Sequence, residues 1–123
     1  MIKRFLFLLL TFSSFNVRAD WLLITTSEND NNYYVETNSV TYKNKIVSYW
    51  QLDDYSNNGK HASTKNKKEN NCTTDEFRIV SQIEFSGKMG GGDVINMKKE
   101  GPWLPIAPQT IGEMIHKFVC NKK

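Results

Sequence analysis

The cysteines and histidines of this sequence, which are typical zinc ligands and reactive groups, are Cys72, Cys120, His61 and His116. Zinc takes three or four such ligands, and its cysteines commonly stand in Cys-x-x-Cys pairs. The two cysteines here are 48 positions apart and only two histidines accompany them. This spacing disfavours a metal pair and leaves a disulfide or a reactive thiol.

The other motifs of the sequence do not match known catalytic or phosphate-binding sites. Asp53 and Asp54 are adjacent carboxylates, but neighbours near the end of a strand face opposite sides, whereas an acid–base pair must converge on one substrate atom. Gly90 to Gly92 resembles a phosphate loop in composition, yet it lacks the Gly-Lys-Ser/Thr ending and is better explained as a turn. No Gly-x-Ser-x-Gly motif is present. We therefore expect a protein that is not an enzyme and that carries no metal or other cofactor.

One polar stretch between the apolar segments stands out. Residues 53–71 hold Asn57-Asn58-Gly59 and a basic cluster, with almost no apolar side chains. This composition predicts a long exposed loop. Lys65, Lys67 and Lys68 are the candidate contacts to an acidic or sulfated partner, and the alternative is a solvated loop that only maintains solubility.

The N-terminus has the features of a secretory signal peptide. Lys3 and Arg4 precede an apolar run from Phe5 to Phe12, and Val17 and Ala19 occupy the two positions that a signal peptidase reads. A run of about eight apolar residues is much shorter than the roughly 20 of a spanning helix. We expect cleavage after Ala19, a signal peptide over 1–19, and a mature domain over 20–123 without a transmembrane segment.

Export determines how the charge and the cysteines are interpreted. The whole chain has 16 Lys and Arg against 13 Asp and Glu, and residues 1–19 contain three of the basic residues. The mature domain is then close to neutral, which does not favour a nucleic-acid partner. Outside the cytoplasm two lone cysteines usually pair, so we expect a disulfide between Cys72 and Cys120.

Several segments in which apolar and polar residues alternate predict the strands of a sheet. We expect strands over 21–26, 33–40, 46–52, 77–85 and 94–97, with a hairpin turn at Asn44. The segment 77–85 alternates most regularly, and its odd-numbered residues, Phe77 to Phe85, should all lie on one face.

Near the C-terminus the spacing of apolar residues changes from that of a strand to that of a helix. Apolar residues recur at helical spacing in a single stripe, and Thr110 with Glu113 forms a capping box; the stripe consists of Ile111, Met114, Ile115, Phe118 and Val119. His116 falls on the opposite, solvated face, and Cys120 lies off the stripe, where we expect the helix to have ended. The fold class is α+β: an antiparallel meandering sheet of five to six strands with one C-terminal amphipathic helix, stapled by a disulfide.

The order of these features resembles the surface-adhesin protein E family of Gram-negative bacteria. The segments that carry the resemblance are Trp21, Tyr33 to Glu36, Ser39-Val40, Ile46 to Tyr55, the lysine-rich segment, Cys72, Gly87 to Gly92, Trp103, Pro105, Pro108, the helix from Thr110 to Val119, and Cys120. The resemblance implies a sheet of about six strands, a helix pinned by a disulfide, and frequent dimers. It also implies binding to host matrix and serum proteins such as vitronectin and laminin.

The founding protein of that family is a lipoprotein, and no cysteine for such an anchor follows the predicted cleavage point. We expect an exported, adhesin-like binding protein in the periplasm or at the cell surface of a Gram-negative bacterium. The alternative is a periplasmic structural or accessory domain of an envelope assembly that acts as a homodimer.

Overall fold

The structure is a computed structural model and describes residues 19–57 and 61–121. The predicted signal peptide lies outside the described residues except for Ala19, and the last two residues of the predicted domain lie outside them as well. No helix within the described ranges is long and apolar enough to cross a membrane.

The described chain forms one antiparallel sheet, one α-helix and two short 3-10 helices, at Thr37–Ser39 and Lys88–Gly90. The strands are β1 (Trp21–Thr26), β2 (Asn32–Glu36), β3 (Thr41–Lys43), β4 (Ile46–Asp54), β5 (Ser63–Asn71), β6 (Glu76–Phe85), β7 (Val94–Lys99) and β8 (Leu104–Pro105), and the helix is α1 (Ile111–Cys120). The long strands lie in the order β1-β2-β4-β5-β6-β7, while the short β3 pairs with β4 and β8 pairs with β6. The predicted α+β class is confirmed.

The hairpin at Asn44 and the start of α1 follow the local sequence signals. Asn44 has a φ of 58°, a left-handed conformation that asparagine tolerates better than most residues. The hydroxyl of Thr110 accepts a hydrogen bond from the Glu113 amide at 3.2 Å, which satisfies one free N–H of the first helical turn. Cys120 is the last residue of the helix, one position beyond the predicted Thr110 to Val119 segment.

The prediction that residues 53–71 form a long exposed loop was wrong. β4 continues to Asp54, and Ser63–Asn71 is β5, a nine-residue strand in the middle of the sheet. β5 pairs along its whole length with β4 on one side and with β6 on the other. Its backbone hydrogen bonds therefore compensate for the lack of apolar side chains.

The side of the sheet that α1 covers is called here the helix face, and the other side the open face. The apolar core lies on the helix face, where Val35, Val47 and Tyr49 pack against Ile115 and Val119 of α1. Met114, which the stripe placed among the core residues, is exposed instead.

An irregularity in β6 divides its side chains between the two faces. Lys67 pairs with Ser81 and Lys68 pairs with Ile79, so Val80 is an extra residue on β6. Such a bulge reverses the alternation. Phe77 therefore lies beside Lys68 on the helix face and Phe85 beside Lys65 on the open face, contrary to the expected single face.

Candidate functional site

The three lysines that the sequence singled out are separated by the strand geometry. Lys65 and Lys67 point to the open face, where Lys67 is exposed and Lys65 is half-buried. Lys68 points to the helix face and is only 8% exposed. The prediction of a basic loop was therefore wrong, and Lys68 is not available to a partner in this conformation.

Lys65 is part of an aromatic groove on the open face. Its ammonium lies 5.6 Å from the ring centre of Trp21 and 5.5 Å from that of Phe85, within the range of cation–π attraction. The groove has a volume of about 510 Å³ and is lined by Ala19, Trp21, Glu36, Asn38, Trp50, Lys65, Ile83 and Phe85. We call it the open-face groove.

The turn between β6 and β7 holds the stem of Lys65 in place. Gly90 has a φ of +74°, and a Cβ built on it would lie 2.5 Å from Cε of Lys65. The absence of a side chain at Gly90 thus lets the turn lie directly on the lysine stem. Ser63 supports the turn, because its hydroxyl accepts from the Gly90 amide at 2.9 Å and donates to the Gly87 carbonyl at 2.6 Å.

A second depression, of about 650 Å³, lies between the turn after β1 and the start of α1. It is lined by Thr25, Thr26, Ser27, Glu28, Asn29, Gln109, Thr110, Ile111, Glu113 and Met114. These side chains are mostly hydroxyl, amide and carboxylate groups. They offer no aromatic surface of the kind that anchors most protein–protein contacts.

The helix face carries a buried polar network that begins at Lys68. The Lys68 ammonium donates to Oε1 of Gln51 at 3.0 Å, and Nε2 of Gln51 donates to Oδ1 of Asp53 at 2.7 Å. Nδ2 of Asn66 donates to the other Asp53 oxygen at 3.3 Å, while Oδ1 of Asn66 is buried and has no hydrogen-bond partner among the described residues. The ring of Phe77 lies 4.8 Å from the ammonium.

Burial perturbs both charged members of this network. It lowers the pKa of Lys68 to about 8, because the attraction of Asp53 only partly offsets the loss of hydration. Burial also raises the pKa of Asp53, against the opposing effects of the hydrogen bond from Gln51 and the charge of Lys68. A lysine of lowered pKa can act as a nucleophile, but this ammonium is enclosed by protein. The geometry favours a structural role.

A parallel network connects β4 and β5 to α1. The Tyr49 hydroxyl donates to Oδ1 of Asn70 at 2.8 Å, which leaves Nδ2 of Asn70 to donate to Nδ1 of His116 at 3.0 Å. This assigns the His116 proton to Nε2, which lies 2.9 Å from Asp75. His116 is 7% exposed, so the expectation of a solvated histidine was wrong. Burial also raises the pKa of Tyr49.

Cys72 and Cys120 form the expected disulfide, with Cα atoms 5.7 Å apart. It joins the residue after β5 to the last residue of α1. Across residues 19–57 and 61–121, no group of three or more His, Cys, Asp or Glu is placed to hold a metal ion. The open-face groove is therefore the feature that best fits recognition.

Comparison with known structures identifies the fold. The chain is 20% identical to crystal form II of Haemophilus influenzae protein E, with a TM-score of 0.65 over 85% of this chain and 90% of that one. A selenomethionine form of the same protein has the same sequence identity and TM-score, over 87% of this chain and 90% of that one. Protein E from non-typeable Haemophilus influenzae is 18% identical to this chain, with a TM-score of 0.58 over 86% of this chain and 78% of that one.

Comparison with curated protein sequences finds no match. The family model described as surface-adhesin protein E matches residues 21–121, which is nearly the whole described domain. The resemblance drawn from the order of motifs is confirmed, and the chain belongs to the surface-adhesin protein E family.

Proposed function

We propose that this protein is an exported, non-catalytic, adhesin-like binding protein that recognises a host extracellular-matrix or cell-envelope macromolecule. The observation that carries the proposal is the open-face groove, with its two tryptophans, one phenylalanine and one lysine held between rings. Membership in the surface-adhesin protein E family supports the adhesin-like class. Vitronectin and laminin are the partners that we would test first.

The chemistry of the groove suits a macromolecular partner. Tryptophan and other aromatic residues in partly enclosed positions contribute much of the binding energy in protein interfaces. Trp21 and Trp50 supply this surface, and Lys65 adds a positive charge whose stem is already fixed. A fixed side chain loses little conformational entropy when a partner arrives. We therefore assign the contact to Trp50 and Lys65, with Lys67 as an exposed neighbour on the same face.

The buried networks support a role without turnover. Lys68 and Asp53 have shifted pKa values, which can mark catalytic groups, but both are bonded within the protein and do not line the open-face groove. Catalysis needs a nucleophile or base within reach of a substrate atom. The groove's ionisable side chains are Glu36 and Lys65, and the first is bonded to backbone N–H groups while the second lies between rings.

A capture experiment with immobilised vitronectin or laminin tests the proposal. Trp50→Ala should reduce capture strongly, since truncation of an aromatic anchor commonly costs about 2 kcal/mol or more, or roughly thirtyfold in affinity. Lys65→Met should weaken capture and reduce its dependence on salt, because exposed charges are screened over about 8 Å at physiological ionic strength.

The matched control is Lys117→Ala, which removes an exposed lysine from α1, away from the groove. This variant should capture as well as the native protein. An equal loss of capture in all three variants would indicate non-specific attraction to the immobilised partner. Unchanged capture in Trp50→Ala and Lys65→Met would remove the groove from the binding site.

Strand β7 supports the alternative, a periplasmic structural or accessory domain of an envelope assembly that acts as a homodimer. It is the last strand of the sheet path, and its apolar side chains Val94, Ile95 and Met97 are exposed, the last of them by 68%. Exposed apolar edges commonly mark association surfaces. A dimer in sedimentation equilibrium that dissociates in the Met97→Lys variant would favour this function.

A further inference from the structure

The residue that precedes β1 is held by an unusual number of contacts from one short segment. The Asp20 amide donates to Oε1 of Glu36 at 2.9 Å, and the Asp20 carbonyl accepts from the Thr37 amide at 2.9 Å. Nδ2 of Asn38 also donates to the Asp20 carboxylate at 3.4 Å. The amide, carbonyl and side chain of Asp20 are thus all bound by residues 36–38.

Glu36 is a buried carboxylate that lacks a cationic partner in the part of the chain that the structure describes. It is 9% exposed, and it accepts hydrogen bonds from the amides of Asp20 and Asn38. No lysine or arginine among residues 19–57 and 61–121 forms an ion pair with it. Lys65, which lines the same groove, lies over aromatic rings instead. Neutral donors compensate a buried charge less well than a cation does.

We infer that Glu36 is the binding site for the new N-terminus that forms when the signal peptide is removed. The inference rests on the cleavage after Ala19 that the sequence predicts and is independent of the proposed function. Hydrolysis adds water across the Ala19–Asp20 peptide bond, which leaves a carboxylate on Ala19 and an amine on Asp20 that takes up a proton. The ligand is therefore the chain's own α-ammonium, and it forms at the nitrogen that is already 2.9 Å from the Glu36 carboxylate.

Processing then has two consequences for the mature domain. The hydrogen bond from Asp20 to Glu36 becomes an ion pair, which fixes the start of the edge strand β1 to the end of β2. Ala19 is one of the residues that line the open-face groove, so its removal also opens the groove beside Trp21. Signal-peptide cleavage thereby couples export to the completion of the fold at this edge.

Thermal denaturation of two forms of the protein tests the inference. One form begins at Asp20, as the exported protein should, and the other carries Gly-Ser-Ala19 before Asp20, which moves the α-ammonium away from Glu36. In both forms the acceptor is the Glu36 carboxylate, and only the Asp20 form adds a positive charge on the donor; the Asp20 form should therefore melt about 4–8 °C higher. Equal melting temperatures would overturn the inference.

Glu36→Gln, introduced into both forms, should abolish the difference between them, because an amide carries no charge. Glu28→Gln removes an exposed glutamate from the turn between β1 and β2, at the other end of these strands, and should leave the difference intact. A difference that persists in Glu36→Gln would assign the effect to another group and overturn the inference.

A second measurement needs no variant that might fail to fold. An amine-reactive ester at neutral pH should modify the α-amine of the Asp20 form roughly tenfold more slowly than that of the extended form, since the carboxylate holds its proton. Equal rates would contradict the ion pair. Intact mass of the exported protein checks the starting residue, and a chain that begins elsewhere than Asp20 would also overturn the inference.

Discussion

Titration of the buried Lys68 should make the domain more stable as the pH rises above neutrality. Burial lowers the pKa of this ammonium to about 8, from 10.5 for a free lysine side chain. The folded state therefore releases the Lys68 proton at a lower pH than the unfolded state does. Because the unfolded chain binds more protons between these two values, the free energy of unfolding increases with pH in this window.

The size of this effect follows from the shift. One pKa unit corresponds to about 1.4 kcal/mol, so the charged form of Lys68 costs the folded state on the order of 3 kcal/mol below pH 8. Between pH 7 and pH 9.5 about 2 kcal/mol of this cost should be relieved. Burial raises the pKa values of Tyr49 and Tyr55, which would destabilise the fold as the unfolded tyrosines ionise, so the comparison should stay below pH 10.

Urea denaturation of the native protein and of Lys68→Met at several pH values provides the assay. The other titratable groups are common to both proteins, so the difference between their curves reports Lys68 together with the Asp53 carboxyl group whose pKa depends on the Lys68 charge. The native protein should gain about 2 kcal/mol relative to Lys68→Met between pH 7 and pH 9.5. Lys67→Met changes an exposed lysine on the same strand, and its free energy of unfolding should depend on pH as that of the native protein does. Parallel curves for Lys68→Met would refute the assignment of a lowered pKa.

Three further changes test the fold. Reduction of the Cys72–Cys120 disulfide should cost roughly 4 kcal/mol in the chain-entropy model for its 48-residue separation, and melting with and without reductant measures it. Thr110→Ala should cost about 0.5–2 kcal/mol, seen as a lower denaturation midpoint, because the Glu113 amide loses its acceptor. Gly92→Ala should cost more than about 1 kcal/mol, because φ is +73° and a Cβ would lie 2.8 Å from the Gly87 nitrogen; an unchanged midpoint would contradict this.

The sequence revealed the strands that are rich in apolar and β-branched residues. β1, β4 and β6 were predicted within a few residues of their ends, because such runs, bounded by turn-forming residues, are typical of strands. The same reasoning placed the helix and its Thr110 cap, since both depend on contacts within a few residues. The disulfide followed from the predicted export and from the presence of only two cysteines.

Strand β5 could not be found by the same method. Its buried positions on the helix face carry Thr64, Asn66, Lys68 and Asn70, which are residue types that normally mark exposed segments. Partners from other segments bind several of their polar atoms, as Gln51 does for Lys68 and His116 for Asn70. Such partners are set by the tertiary fold and leave no periodic signal in the local sequence.

The open-face groove was missed for a related reason. It combines Trp21, Trp50, Lys65 and Phe85 from four different strands. The bulge at Val80 decides that Phe85 shares a face with Lys65, and nothing in the alternation of β6 indicates an extra residue. The aromatic residues were visible in the sequence, but their convergence depends on the register of the whole sheet.

The polar centre of the sheet also explains why the disulfide matters to this fold. The apolar core joins α1 to β2 and β4 through Val35, Val47 and Tyr49, while β5 faces the helix with polar side chains. Contacts that hold α1 to the β5 side must therefore come from polar groups and from the disulfide. His116 binds Asn70, and the disulfide joins α1 to the end of β5. Since buried hydrogen bonds contribute only about 1 kcal/mol each in net terms, the disulfide, which is worth roughly 4 kcal/mol because it restricts the unfolded chain, contributes more to stability than the His116–Asn70 hydrogen bond.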